Sequence, residues 1–376
     1  MSTIKDTLPQ TINDILSAYN IDYNNFSWSM IHNGHINRTY VIEYKGSDGN
    51  PCKSLLQQIN TQVFKNPVAL MENVMNVTAF LKDKIALAGG DTARETLTVF
   101  FTIDGKNCYI DSNGSYWRMY NFVDNAFTYN TIESAELFKR AGAAFGNFQS
   151  QLADFPIDKL FDTIPNFHNT FKRFNDLMAS VEKNASGRAN NVLEEIEFAK
   201  NREEDTKVIT GLLDSGAIPY RVTHNDTKLN NIMFDEATKA PICVVDLDTV
   251  MPGSALYDFG DAIRFGANTA AEDEKDISKV SLSLELYKSY VEGYLSTAGK
   301  SLNEKEIEYL PFSAKLLTLE CGMRFLADYI DGDVYFSTAY DDHNLVRCKT
   351  QFALVADIEK KYDEMVKITM DAFNAI

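Results

Sequence analysis

The sequence predicts an α+β fold in two lobes, a small antiparallel-sheet N-lobe over 1–121 and a larger, mainly helical C-lobe over 122–376. Three observations predict it. Short β-rich runs crowd the first third of the chain, apolar residues at helical spacing dominate the remainder, and one β stretch at 232–247 interrupts that helical pattern.

Taken in order, Ile12, Ile15, Leu16 and Tyr19 have helical spacing over 9–19. Strands are then predicted at FSWSMIH (26–32), TYVIEY (39–44), KSLLQQI (53–59) and ETLTVFF (95–101). A hairpin joins NCYID to SYWRMYNF through the turn pair Asn113-Gly114. One helix interrupts these strands at 67–84, with Leu70, Val74, Val77 and Leu81 on one face. Beyond Asn121, helices are predicted at 133–153, 190–214, 278–297, 303–330 and 345–373. A cleft between two such lobes is a favoured place for a small molecule.

Composition narrows the function. With 36 Lys and Arg against 53 Asp and Glu, the 376 residues carry a formal charge of −17. That charge argues against a nucleic acid or an anionic membrane as partner, while leaving room for small anions beside a bound metal. No window approaches a membrane span, and the N-terminus lacks the pattern of a signal peptide. Cys52, Cys108, Cys243, Cys321 and Cys348 are scattered, without the spacing of a zinc site or a disulfide framework. A cytoplasmic chain with reduced thiols and no obligate protein partner is expected.

The chemistry concentrates in RVTHNDTKLNNIMFD at 221–235, where His224, Asp226, Lys228 and Asn231 form H-x-D-x-K-x-x-N. Fifteen residues after Asn231, Asp246 closes an apolar run in VVDLDTV. Phosphoryl transfer needs one carboxylate to take or orient the proton of the attacking hydroxyl. It also needs an amide oxygen and a second carboxylate to hold Mg²⁺ on the phosphates, and a cation to offset charge on the transferring group. Asp226, Asn231, Asp246 and Lys228 match those roles by spacing. His224 reads as a brace for the loop rather than a proton carrier.

HNDTKLNN together with VVDLDTVMPG resembles the aminoglycoside-phosphotransferase/choline-kinase superfamily, whose fold is protein-kinase-like. Within it, GHINRTY at 34–40, LLQQINTQVFKNP at 55–67, WRMYNFVDNAFTYN at 117–130, the block at 246–276 and ECGMRFLADYIDGDVYF at 320–336 are similar to bacterial N-acetylhexosamine 1-kinases. The resemblance implies ATP and Mg²⁺ as cofactors and phosphorylation of the anomeric hydroxyl of GlcNAc or GalNAc. It implies Asp226 as base, Asn231 and Asp246 as metal ligands, and His35, Arg324 and Tyr335 as sugar contacts. An anomeric hydroxyl is more acidic than an ordinary alcohol, so a well-placed carboxylate suffices as base.

The nucleotide side is expected to use Asn33 and Gly34 at a hairpin tip, Gln57 on the third strand, and Tyr120 and Phe122 beside the adenine. The lysine that protein kinases place on strand three is missing; Gln57 and Gln58 stand there, with Glu72 on the helix. Asp258 and Asp261 start the next helix, as anchors for the catalytic loop. Asp248 shares a strand face with Asp246 if the strand continues, in reach of metal or sugar. A kinase of the same fold for another hexose, an aminoglycoside, choline or homoserine is one alternative. A non-catalytic nucleotide- or sugar-binding pseudokinase is the other. No Cys-x-Pro-x-Arg or Ser-x-Pro-x-Arg motif supports a sulfatase.

Overall fold

A computed structural model of the chain describes residues 11–31 and 36–376. It divides into two compact units, one of Met1–Phe127, Asp158–Ile164 and Phe234–Met251, the other of Thr128–Ile157, Pro165–Met233 and Pro252–Ile376.

The first unit opens with helix α1 (Ile12–Ala18), followed by strands β1 (Phe26–Ile31), β2 (Arg38–Lys45) and β3 (Pro51–Gln58). Helix α2 (Pro67–Leu87) follows, then β4 (Tyr109–Ile110), β5 (Tyr116–Asn121) and β6 (Ala126–Phe127). Strands β1 to β5 make a five-stranded sheet in the order β1-β2-β3-β5-β4, every pairing antiparallel. Alternation does what the pattern requires: Tyr40, Ile42, Leu56, Trp117 and Met119 turn inward and pack on Ile12, Ile15 and Leu16 of α1. Asn66 caps α2, accepting the Ala69 N–H, ahead of Pro67 in the first turn. Leu70, Val74, Val77 and Leu81 are all buried on the face that their spacing predicts.

The run at 95–101 is not the strand expected. Only Val99 bridges to Tyr120, flanked by Phe100 N–H to Met119 O (2.9 Å) and Asn121 N–H to Thr98 O (3.1 Å). The Asn121 side chain accepts the Thr98 N–H at 2.6 Å, which closes the ladder after one bridge.

The second unit holds α3 (Ala135–Gln151), α4 (Thr170–Lys183), α5 (Leu193–Lys200), α6 (Val208–Asp214) and β7 (Arg221–Thr223). The chain then makes β8 (Ile232–Asp235), β9 (Pro241–Val244) and β10 (Met251–Gly253) before α7 (Ala255–Gly266), α8 (Leu284–Ala298), α9 (Glu304–Asp331) and α10 (His343–Asn374). Strand β8 lies between β6 and β9, and β10 pairs with β7. The single helix expected at 190–214 is broken into α5 and α6 by a 3-10 turn at 204–207. There the Thr206 hydroxyl donates to the Glu203 carbonyl, and Arg202 forms a forked pair with Glu359 at 2.9 and 2.7 Å.

Helices α3 and α8 approach through glycines. A Cβ at Gly142 or Gly146 would run into the Tyr290 or Tyr294 carbonyl, and one at Gly293 into the Lys139 carbonyl. This contact fixes α3, whose Gln149 reaches Val222 of β7 and Asp258 of α7. Among the described residues, no helix is long and apolar enough to cross a membrane.

Candidate active site

The loop after β7 is built from below. Asp258, in the first turn of α7 and almost wholly buried, accepts the N–H groups of His224 (2.8 Å) and Asn225 (2.7 Å). Its own carbonyl accepts the Thr227 hydroxyl at 2.6 Å. Gln149 of α3 ties the set together, donating to the Asp258 carboxylate (3.0 Å) and to Val222 O (2.8 Å). Burial raises the Asp258 carboxyl above its ordinary range, against the pull of His224 and of these donors. Asn225 has φ +63°, a left-handed conformation that asparagine tolerates well. His224 is fully buried, edge-on to Phe145 and Phe148 with ring centroids at 5.7 and 5.9 Å.

Asp226 stands half-buried at the tip of this loop. Lys228 Nζ lies 2.7 Å from its Oδ1, and Asn231 Nδ2 donates to its Oδ2 at 3.1 Å and to its main-chain O at 2.8 Å. The structure therefore brings together three of the sequence-predicted residues. The Asn231 amide nitrogen is thus engaged by both the carboxylate and the main chain of Asp226.

In the first unit, Asp246 follows β9 by two residues and adopts a left-handed conformation (φ +61°), with its side chain exposed. Extension does not continue to Asp248, contrary to the expectation that the two share a strand face. Residues 247–249 form a 3-10 turn that carries Asp248 inward to 4% exposure. There it pairs with Arg118 of β5, Nη1 to Oδ1 at 2.5 Å, and accepts Asn37 Nδ2 at 2.6 Å. Burial works to lower the Arg118 pKa, but the fields of Asp248, Tyr120 and Asp246 carry it above its ordinary value.

Gln57 belongs to the same network, accepting Arg118 Nε at 3.0 Å and donating to Thr39 Oγ1 at 2.9 Å. Tyr120 is buried with the Arg118 guanidinium 5.1 Å from its ring centre, and burial pushes its phenol up. Phe122 is half-buried under Lys53 Nζ, 5.6 Å from the ring centre. Asn33, Gly34 and His35 lie outside the described residues.

Arg324 and Tyr335 share a corner of the second unit. Phe336 packs on the Arg324 guanidinium (5.4 Å) and on Tyr335 (4.8 Å), and Tyr335 is 72% exposed. Arg173 of α4 stands in the field of Arg324, and burial together with that field lowers its pKa. The Arg173 Nε is buried without a hydrogen-bond partner. Glu320, one turn before Arg324, accepts His168 Nδ1 (2.8 Å) and the Thr170 hydroxyl (2.6 Å). Burial raises its pKa, but His168, these hydrogen bonds and Arg324 bring it below the ordinary value. Asp261 pairs with Arg264 (2.8 Å); burial raises its carboxyl, and Arg264, His168 and Lys228 hold it down.

A family model described as the phosphotransferase enzyme family (APH) matches residues 102–291, more than half of the chain. The chain belongs to that family. Solved structures similar to this phosphotransferase include a microcompartment-associated aminopropanol kinase, 17% identical, with a TM-score of 0.58 over 94% of this chain and 98% of that one. An aminoglycoside phosphotransferase from Alicyclobacillus acidocaldarius, 9% identical, aligns over the full length of both chains with a TM-score of 0.60. An amicoumacin kinase in complex with AMP-PNP, Ca²⁺ and Ami, 11% identical, has a TM-score of 0.55 over 93% and 92%. At these identities the likeness is one of fold, and it bears out the sheet-then-helices, protein-kinase-like architecture.

Sequence reasoning on this phosphotransferase passed over Arg173, His168 and Asp328. Each lies far along the chain from the motif, on a helix or turn whose periodicity explains it as ordinary surface or core. For Asp328 a signal exists in the surplus of charged residues in GMRFLADYIDGD at 322–333, a stretch otherwise patterned for burial.

Proposed function

We propose that this phosphotransferase is an ATP- and Mg²⁺-dependent kinase that phosphorylates the anomeric C1 hydroxyl of N-acetylhexosamines, GlcNAc or GalNAc. The carrying observation is the Asp226 carboxylate, held by Lys228 and Asn231 on a loop that Asp258 anchors. A carboxylate so fixed orients the attacking hydroxyl and takes its proton as the O–P bond forms. Asn231, through its amide oxygen, and Asp246, through its exposed carboxylate, would supply hard oxygen donors that suit Mg²⁺. Bound magnesium would offset charge on the phosphates, and Lys228, paired with Asp226, would add a cation beside the transferring group. The amicoumacin kinase, with AMP-PNP and a divalent ion in the same fold, supports this cofactor pair.

The choice of acceptor rests on the resemblance over 320–336 and on the charge around Arg324. Two guanidiniums, Arg173 and Arg324, stand there with the Glu320 carboxylate, so the corner offers forked hydrogen-bond donors without being of a single sign of charge. They favour a neutral acceptor rich in carbonyl and hydroxyl oxygens, and an acetamido sugar offers both.

Mg·ATP with a panel of GlcNAc, GalNAc, glucose, choline and an aminoglycoside, followed by phosphorus NMR, tests the reading. A C1 phosphate on the acetamido sugars is expected. A 6-phosphate, or turnover of the amines alone, overturns the acceptor assignment. Asp226→Asn should lower kcat by about 10²–10⁴-fold with little change in ATP affinity; near-normal turnover removes Asp226 as base.

A further inference from the structure

Asp328 lies in the last turn of α9, where the helix dipole disfavours a carboxylate, and it is only 5% exposed. Its position is explained by what it holds. Oδ1 accepts the N–H groups of Val334 (2.9 Å) and Tyr335 (2.8 Å), and Oδ2 accepts that of Phe336 (2.9 Å). Asn344 Nδ2 donates to the same Oδ2 at 2.9 Å and to Asp333 at 2.9 Å. Arg188 clamps Asp333 from the other side at 2.5 Å. Gly332 (φ +100°) and Asp333 (φ +61°) turn the chain so that three successive amides face one carboxylate.

Above this clamp the side chains of Val334 and Tyr335 are 77% and 72% exposed. A buried carboxylate with its acceptor sites filled is thus committed to immobilising a short loop whose apolar side chains face solvent. The same loop packs the partly buried Phe336 between Arg324 and Phe325, with ring centroids of the two phenylalanines at 4.7 Å. Immobilising Tyr335 lowers the ordering cost of any ligand that stacks on it. A pyranose, with a C–H face for the ring and hydroxyls for the neighbouring guanidinium, matches that pairing.

We propose that Asp328 is the positioning residue for Tyr335, holding it as a fixed aromatic wall for the acceptor sugar beside Arg324. This rests on the sugar-kinase reading above. The test is a double-mutant cycle on the full chain with Asp328→Asn, Tyr335→Ala and the two combined. Each single variant should raise the acceptor KM about tenfold, with kcat and the ATP KM within about twofold. The combined variant should be no worse than either, because both remove the same wall. Multiplying effects, or an unchanged acceptor KM in a folded Asp328→Asn protein, overturn the inference.

Should that variant not fold, hydrogen exchange on the wild-type protein decides. Slow exchange of the amides of 334–336 supports the clamp, and exchange at the rate of an open loop overturns it. If the wild-type enzyme uses an acceptor other than an N-acetylhexosamine, the functional reading fails separately, and the cycle is run on the acceptor found.

Discussion

Arg118 and Asp248 form a nearly dry ion pair, 2.5 Å from Nη1 to Oδ1, with side chains 2% and 4% exposed. Asn37 and Gln57 attach to it, so the position where protein kinases keep a strand-three lysine is answered here by a glutamine locked to a buried arginine. Arg118→Met strands the Asp248 carboxylate and should cost about 3–5 kcal/mol. The compensated pair Arg118→Met with Asp248→Leu should recover most of that loss. Urea unfolding of the three variants measures it, and a loss under about 1 kcal/mol for Arg118→Met would mean that water reaches the pair.

Asp258→Asn replaces one acceptor oxygen by a donor facing the His224 and Asn225 amides. The loop should shift by a fraction of an ångström, lowering kcat about 10²-fold while both KM values stay close to wild type. Steady-state kinetics beside a thermal melt checks this; equal falls in activity and in folded fraction would reduce the effect to stability.

Asp246→Asn keeps the side-chain shape, and asparagine is at ease at the φ of +61° found there. The variant should fold normally yet need roughly tenfold more Mg²⁺ for half-maximal rate, since one carboxylate is lost from the donor set. A titration with magnesium at saturating ATP reads it, and an unaltered midpoint would remove Asp246 from the metal site.

Asp235 is held at about 2 by the Thr238 N–H, Arg94 and the Thr238 hydroxyl. An unfolded aspartate titrates near ~3.9. A lowered folded pKa contributes stability above the unfolded value and loses it as pH falls through the folded one. The melting temperature of Asp235→Asn should therefore fall less steeply than wild type between about pH 4 and pH 2. Parallel slopes would show that this carboxylate is as free in the folded chain as in the unfolded one.

The Cβ of Gly293→Ala would meet the Lys139 carbonyl across the α3–α8 contact. Overpacking of this kind costs about 1–3 kcal/mol, and a melt of the variant against Gly211→Ala, where no atom crowds the added methyl, isolates it. A cost near zero would mean that the two helices separate easily.

Several of these relations were legible in the sequence. Of six β-rich runs expected in the first third of the chain, five became the five strands of the sheet, because strand pairing there follows side-chain alternation. The H-x-D-x-K-x-x-N spacing located Asp226, Lys228 and Asn231 together, because the loop is short enough for local geometry to fix them. Asp248 was misread for the converse reason. Its direction is set by the left-handed residue before the turn and by Arg118, 130 positions away in sequence, and neither leaves a local trace. Gln57 reads as a substitute for lysine in the sequence, whereas its amide is spent inside the sheet. The run at 95–101 has strand composition but lacks a free ladder, since Asn121 takes one of its amides.

The anchor beneath His224 and Asn225 comes from α7 and α3, helices of the same unit. The pose of Asp226 is therefore inherited when that unit folds and does not have to be rebuilt at each turnover. On the reading proposed above, the exposed side chains at 334 and 335 can be exchanged for new acceptors while the Asp328 clamp and the loop that carries Asp226 stay as they are.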